Sequence, residues 1–202
     1  MVTDKPINLD VKIVGGSSGI TLSQYGVSHF ALEDVAAMRS LPNMTVTCPG
    51  DLYEAEEITK LSCSFKGPAY IRIGRTNSGS DVFIHSKRPK IKIGEPIFII
   101  KQSGPVIVST GSMLFFAKEV VEKLRSKNIS ASLVSLPTVK PLNSKKIIDL
   151  FKQILRLRYN RSTKAEIKKK IVFISSAYYV KNFNSHFSAF LLKNNLMLIA
   201  DR

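Results

Sequence analysis

The chain reads as an α/β protein of two three-layer units with mostly parallel sheets. Short β-branched runs such as Thr45-Val46-Thr47 and Val106-Ile107-Val108 alternate with longer stretches at helical spacing. Glycine and proline fall at the joints between them. At 202 residues, with 44% of them hydrophobic, the chain is long enough to bury a core in one domain or two small ones.

The elements justify that class in order. Met1 to Asp10 is polar and expected to be loose, and Val11 to Val14 is a short strand. Gly15-Gly16-Ser17-Ser18-Gly19 is a loop that turns sharply or approaches a ligand. A helix is expected to begin near His29, favoured by alanine, leucine and methionine, with Leu32, Val35, Ala36 and Met38 near helical spacing. Pro42-Asn43 stops it, and Thr45 to Thr47 is a buried strand. Asp51 can accept from the first-turn N–H groups of a helix running to about Ser64, and Glu54, Glu56 and Glu57 suit its positive end. Gly67-Pro68 breaks the chain before the strand Ala69 to Ile73, which ends at Gly74-Arg75. This alternation implies right-handed crossovers and a parallel sheet. Ligands sit at the carboxyl ends of such strands, which is where the Gly15 loop and Arg75 fall.

The alternation repeats after a charged, proline-containing connector, residues 87–104. Pro105 to Ser109 is a strand, Met113 to about Lys127 a helix and Ala131 to Ser135 a strand. Pro137 to Leu142 is expected as a loop, Ser144 to about Arg158 as a helix, Ile171 to Ser175 as a strand and Ser185 to Lys193 as a last helix. The units are therefore 1–86 and 105–202. The second holds no titratable cluster, which suits a structural or interfacial role.

Charge is uneven. Residues 1–86 carry 7 Lys/Arg against 9 Asp/Glu, and residues 87–202 carry 23 against 6. Such density could bind nucleic acid or an anionic surface, but the composition favours a solvated basic face. The longest apolar runs, such as Ile97 to Ile100, are far shorter than the roughly 18 residues of a membrane span, and Met1-Val2-Thr3-Asp4 opens no secretory signal. A cytoplasmic protein is expected. Cys48 and Cys63 lack metal-ligand spacing and read as buried small hydrophobes in a reducing compartment.

Several residues form a more specific pattern: Gly26, His29, Glu33 and Asp34, then Arg39-Ser40-Leu41-Pro42-Asn43, then Pro49-Gly50-Asp51. The segment Val11 to Asp51 resembles the second half of the pyrimidine-binding domain of transketolases, thiamine-diphosphate enzymes that move two-carbon ketol units between sugars. "GPAYIRIGR" and the stretch from Val106 to Asn143 are similar to that family's next strand and to the start of its C-terminal domain. The resemblance implies that residues 1–86 form an incomplete pyrimidine-binding domain and residues 105–202 a transketolase C-terminal-like domain.

It also implies site residues. His29 matches the histidine that reaches substrate hydroxyls near the reacting carbon, and a histidine can donate or accept a proton around neutral pH. Arg75 matches the arginine that grips the sugar phosphate, its guanidinium fork suited to two phosphate oxygens. Ser17 stands where the family usually has a phosphate-binding histidine, and Tyr25 where it usually has an aspartate. Losing that carboxylate removes an acceptor for a substrate hydroxyl, a mismatch of roughly 1 to 3 kcal/mol. Ser17 and Tyr25 therefore point to a modified substrate or a disused site.

The family's cofactor-activating glutamate and its Gly-Asp-Gly diphosphate motif have no counterpart in the sequence. Thiamine diphosphate and Mg2+ are thus expected only in an assembled enzyme, held with an N-terminal transketolase-like subunit in a homo- or hetero-oligomer. None is expected on this chain alone. After Ser175 the chain has Ser176-Ala177-Tyr178-Tyr179 in place of the family's two glutamates and glycine-rich turn. The leading expectation is a partner-dependent transketolase C-terminal section acting on sugar phosphates. A truncated non-catalytic remnant and, less favoured, a basic nucleic-acid-binding module stand as alternatives.

Overall fold

A computed structural model describes residues 9–20, 22–74, 87–159, 170–174 and 197–199. Strand β1 (Lys12–Gly15) is followed by two 3-10 turns, Ser23–Tyr25 and Val27–His29, and by helix α1 (Asp34–Ser40). Then come β2 (Thr45–Thr47), α2 (Leu52–Ser64) and β3 (Ala69–Arg72), and next β4 (Ile97–Ile100), β5 (Val106–Ser109), α3 (Met113–Ser126), β6 (Ser132–Ser135) and β7 (Thr138–Lys140). Helix α4 (Ser144–Tyr159), β8 (Lys170–Ile174) and β9 (Met197–Ile199) complete the described elements.

Two sheets result. The first has the order β1-β3-β2-β7 and the second β4-β6-β5-β8-β9. All neighbours are parallel except β2 with β7 and β4 with β6. The mostly parallel α/β architecture is the one expected.

Local chemistry explains the elements that fall where the sequence places them. Asp51 caps α2 with its carboxylate accepting the Glu54 N–H at 2.8 Å, while the Glu54 carboxylate accepts the Gly50 N–H at 2.7 Å. Leu41, the residue before Pro42, is extended and ends α1, and Asn43 then turns with φ 57°.

Tertiary pairing explains the differences. The helix expected from His29 begins only at Asp34, because Ala31 is drawn into an antiparallel bridge with Gly19. Each of those residues donates its N–H to the other's carbonyl at 3.0 Å. Thr138–Lys140, expected as loop, is an edge strand on β2. Ile97–Ile100, inside the expected connector, pairs with β6. The division at residues 87–104 is therefore not clean: the second half lends a strand to the first sheet. Cys48 is buried as expected, but Cys63 is exposed, since its position on α2 faces away from the sheet. The expected helix 185–193 and the tail 176–179 lie outside the described residues, and the strand expected at 171–175 runs from Lys170 to Ile174.

Among the described residues the core has these parts. Val35, Met44, Val46, Cys48, Tyr70 and Val139 pack under the first sheet. Ile107, Leu114, Ala117, Val121, Ala131 and Leu133 join α3 to the second sheet. Tyr53, Ile58, Ile71, Ile91 and Ile97 link α2 and β3 to the start of the second half.

Candidate active-site loop and its buried support

At the carboxyl ends of β1 and β3, the loop Gly15–Gly19 leaves the first sheet. Gly15 has no room for a side chain, since a Cβ there would lie 2.3 Å from the Tyr70 hydroxyl oxygen. Gly74, on the following stretch, is as confined: a Cβ would lie 2.6 Å from that of Ser112 at the start of α3. Between these glycines Ser17 holds a left-handed φ of 56°, uncommon outside glycine. The Ser18 N–H donates to the Ile73 carbonyl at 3.3 Å, and that of Ile73 donates to Gly15 at 2.8 Å.

The second part of the site is the pair of 3-10 turns. Gly26, with φ 84°, separates them. The Tyr25 and His29 rings stand 5.2 Å apart at 39°, and Ser28 Oγ lies 3.1 Å from His29 Nδ1. Both rings are exposed. The structure thus brings Tyr25 and His29 together, and the Gly19–Ala31 bridge fastens the loop bearing Ser17 to the residues just after His29. Arg75 lies outside the described residues.

Beneath the loop is a buried charged network absent from the sequence expectations. Arg72, 3% exposed, donates from Nε to Asp34 Oδ2 at 2.8 Å and from a terminal nitrogen to the Ala31 carbonyl at 2.7 Å. The Tyr70 hydroxyl donates to the same Asp34 oxygen at 2.8 Å. Burial, and then the Asp34 carboxylate, push the Tyr70 hydroxyl pKa well up. The other oxygen, Asp34 Oδ1, has no partner among the described residues. One signal could have found the network: an arginine inside the apolar run Ala69-Tyr70-Ile71-Arg72-Ile73 requires a buried acceptor. Among the described residues no three His, Cys, Asp or Glu side chains gather as a metal site.

The family model for the transketolase pyrimidine binding domain matches residues 6–80, and that for the transketolase C-terminal domain matches residues 101–159. The chain belongs to the transketolase family. What it shares with that family is the C-terminal portion. It is 33% identical over 135 residues to a Methanocaldococcus jannaschii protein named for a transketolase C-terminal section, covering 67% of this chain and 42% of that one. It is 31% identical over 140 residues to a 6-deoxy-6-sulfo-D-fructose transketolase subunit of a Clostridium species, again covering 42% of the relative. The chain thus spans about four tenths of the length of these relatives. Among solved structures, the inactive beta4 tetramer of a split gene transketolase matches with a TM-score of 0.72 and 27% identity, over 96% of this chain and 57% of that one. A Pichia stipitis transketolase variant matches with a TM-score of 0.59, over 81% of this chain and 23% of that one; at 21% identity that likeness speaks for the fold alone.

Proposed function

We propose that this transketolase-family chain is one section of an enzyme that transfers two-carbon ketol units between sugars or sugar phosphates. A partner polypeptide carrying the cofactor-binding domain completes it. One observation carries the reading: apolar side chains on both faces of the chain at β1 are uncovered. Val11, Ile13 and Val14 are 46%, 40% and 59% exposed, flanked by Leu9 at 60% and Ile20 at 56%. Among the described residues β1 is also the sheet's terminal strand, with no strand paired along its outer side. An apolar, unpaired edge of this kind is a docking surface or an aggregation hazard. Relatives named as parts of divided transketolases, among them one of Phocaeicola vulgatus named for an apulose-4-phosphate transketolase, support the docking reading.

In the assembled enzyme, His29 orients the sugar and exchanges a proton with its hydroxyls. Ser28 engages Nδ1, so Nε2 is the nitrogen that serves the substrate. Arg75 holds the phosphate or an equivalent anion. Ser17 and Tyr25 shape the acceptor end, a hydroxyl and a phenol in place of the family's more strongly charged groups. When bound, thiamine diphosphate, with Mg2+, supplies the carbanion chemistry; residues of this chain act on the sugar. The enzyme operates in the cytoplasm.

The test is co-expression with a transketolase N-terminal section from the same genome. A stable complex should form and transfer ketol units, and His29→Ala should lower kcat by about 100-fold, within the range of a lost general acid or base. A complex that never forms, with the chain aggregating alone, would favour the remnant instead. Full activity in the His29 variant would remove that residue from the mechanism.

A further inference from the structure

The geometry points to Asp34 as a positioning residue for His29, acting through Arg72 and a single backbone carbonyl. Three parts of the chain meet at the carbonyl of Ala31. It accepts from the Arg72 guanidinium at 2.7 Å and from the Gly19 N–H at 3.0 Å. The Ala31 N–H returns to Gly19 at 3.0 Å, closing the bridge. His29 lies two residues before Ala31 and Ser17 two before Gly19, so this clasp sets the spacing between the turn and the loop that carry the candidate site.

Asp34 decides where the guanidinium sits. Its Oδ2 takes both Arg72 Nε and the Tyr70 hydroxyl at 2.8 Å. The Tyr70 ring in turn lies against Gly15, the root of the loop. The carboxylate therefore aligns the fork that reaches Ala31 and the ring that seats the loop. Stability alone does not call for such a network, because an ion pair this buried can often be replaced by apolar side chains without loss. Here it lies at the carboxyl end of β3, beneath the loop, where a fixed carbonyl has a use. The catalytic consequence rests on the proposed role of His29; the clasp itself does not.

Two measurements separate these. In the full chain, Asp34→Asn should keep the fold but speed hydrogen exchange at the Gly19 and Ala31 amides by roughly tenfold, as expected for a lost charged hydrogen bond. Exchange in β6, from Ser132 to Ser135, should stay unchanged. Unchanged exchange at Gly19 and Ala31 overturns the proposal. Should Asp34→Asn not fold, Arg72→Lys keeps the charge but loses the fork, and the same two amides decide. In the complex with its partner, Asp34→Asn should lower kcat, and the double variant with His29→Ala should be no slower than His29→Ala alone. Additive losses would mean that Asp34 acts on stability and not through His29, overturning the positioning role. If His29→Ala alone is fully active, the functional reading of His29 falls, and the exchange result still decides the clasp.

Discussion

Between Leu9 and Val27, seven large apolar side chains are 40% to 80% exposed, whereas around α3 the residues Ile107, Leu114, Ala117, Val121 and Leu133 are at most 4% exposed. The difference is one of self-sufficiency. The inner face of α3 covers its own sheet, so its burial energy is gained inside this chain, while Phe116 and Val120 on its outer face stay 52% and 39% exposed. The β1 edge and its loop leave comparable apolar surface uncovered, so their burial energy is available to whatever docks there. One region holds the chain together; the other is the surface that the proposed assembly would cover.

Substitutions can break or sharpen that contrast. The largest effect belongs to the closed layer: Leu133→Ala should cost about 2 to 5 kcal/mol in urea unfolding. Next comes the support beneath the open region, where Arg72→Ala strips a partly buried Asp34 of its cation. About 2 kcal/mol of thermal stability should be lost, and a loss near zero would mean the loop is held by packing alone. Alkali gives a graded effect. Burial pushes the Cys48 thiol up to about 12, while an unfolded thiol titrates near about 8.5. Stability from this group is complete below about pH 8.5 and falls as pH rises toward 12, because the unfolded chain then releases a proton that the folded chain keeps. Alkylation at pH 8 should accordingly label exposed Cys63 and spare Cys48. Removing the α2 cap, Asp51→Ala, should cost about 1 kcal/mol. The smallest effect on the fold should come from Val14→Lys on the open edge, within about 0.5 kcal/mol in the isolated chain. The same change should abolish association with the partner in a pull-down; an unaffected complex would move the docking surface elsewhere.

What is legible in the sequence follows the range of the interactions. β2 and α2 fall where expected because their signals are local: a β-branched triplet after Pro42-Asn43, and a carboxylate within reach of Glu54 N–H. α1 starts later than its residues suggest because the Gly19–Ala31 bridge overrides good helix formers. β7 escapes a reading of the sequence because its pairing, Thr47 with Thr138, leaves no trace in either segment alone. Tyr25 and His29 come from resemblance, and the structure sets their rings side by side. Of Asp34, Tyr70 and Arg72 only Arg72 gives a signal, a charge inside an apolar run, and which residues answer it is set by packing between distant segments.

The strand β7 has a consequence for how the protein is made. Lys140 donates to the Arg39 carbonyl, 101 positions earlier, so it closes α1 from the far half of the chain. Val139 likewise fills the core beneath the first sheet. During synthesis, β2 must wait with a bare edge until residues 138–140 have emerged, and such long-range closure is slow. The nascent first sheet is thus exposed on both flanks, at β1 and at β2, and among the described residues only the β2 flank is sealed by later ones, Thr138–Lys140.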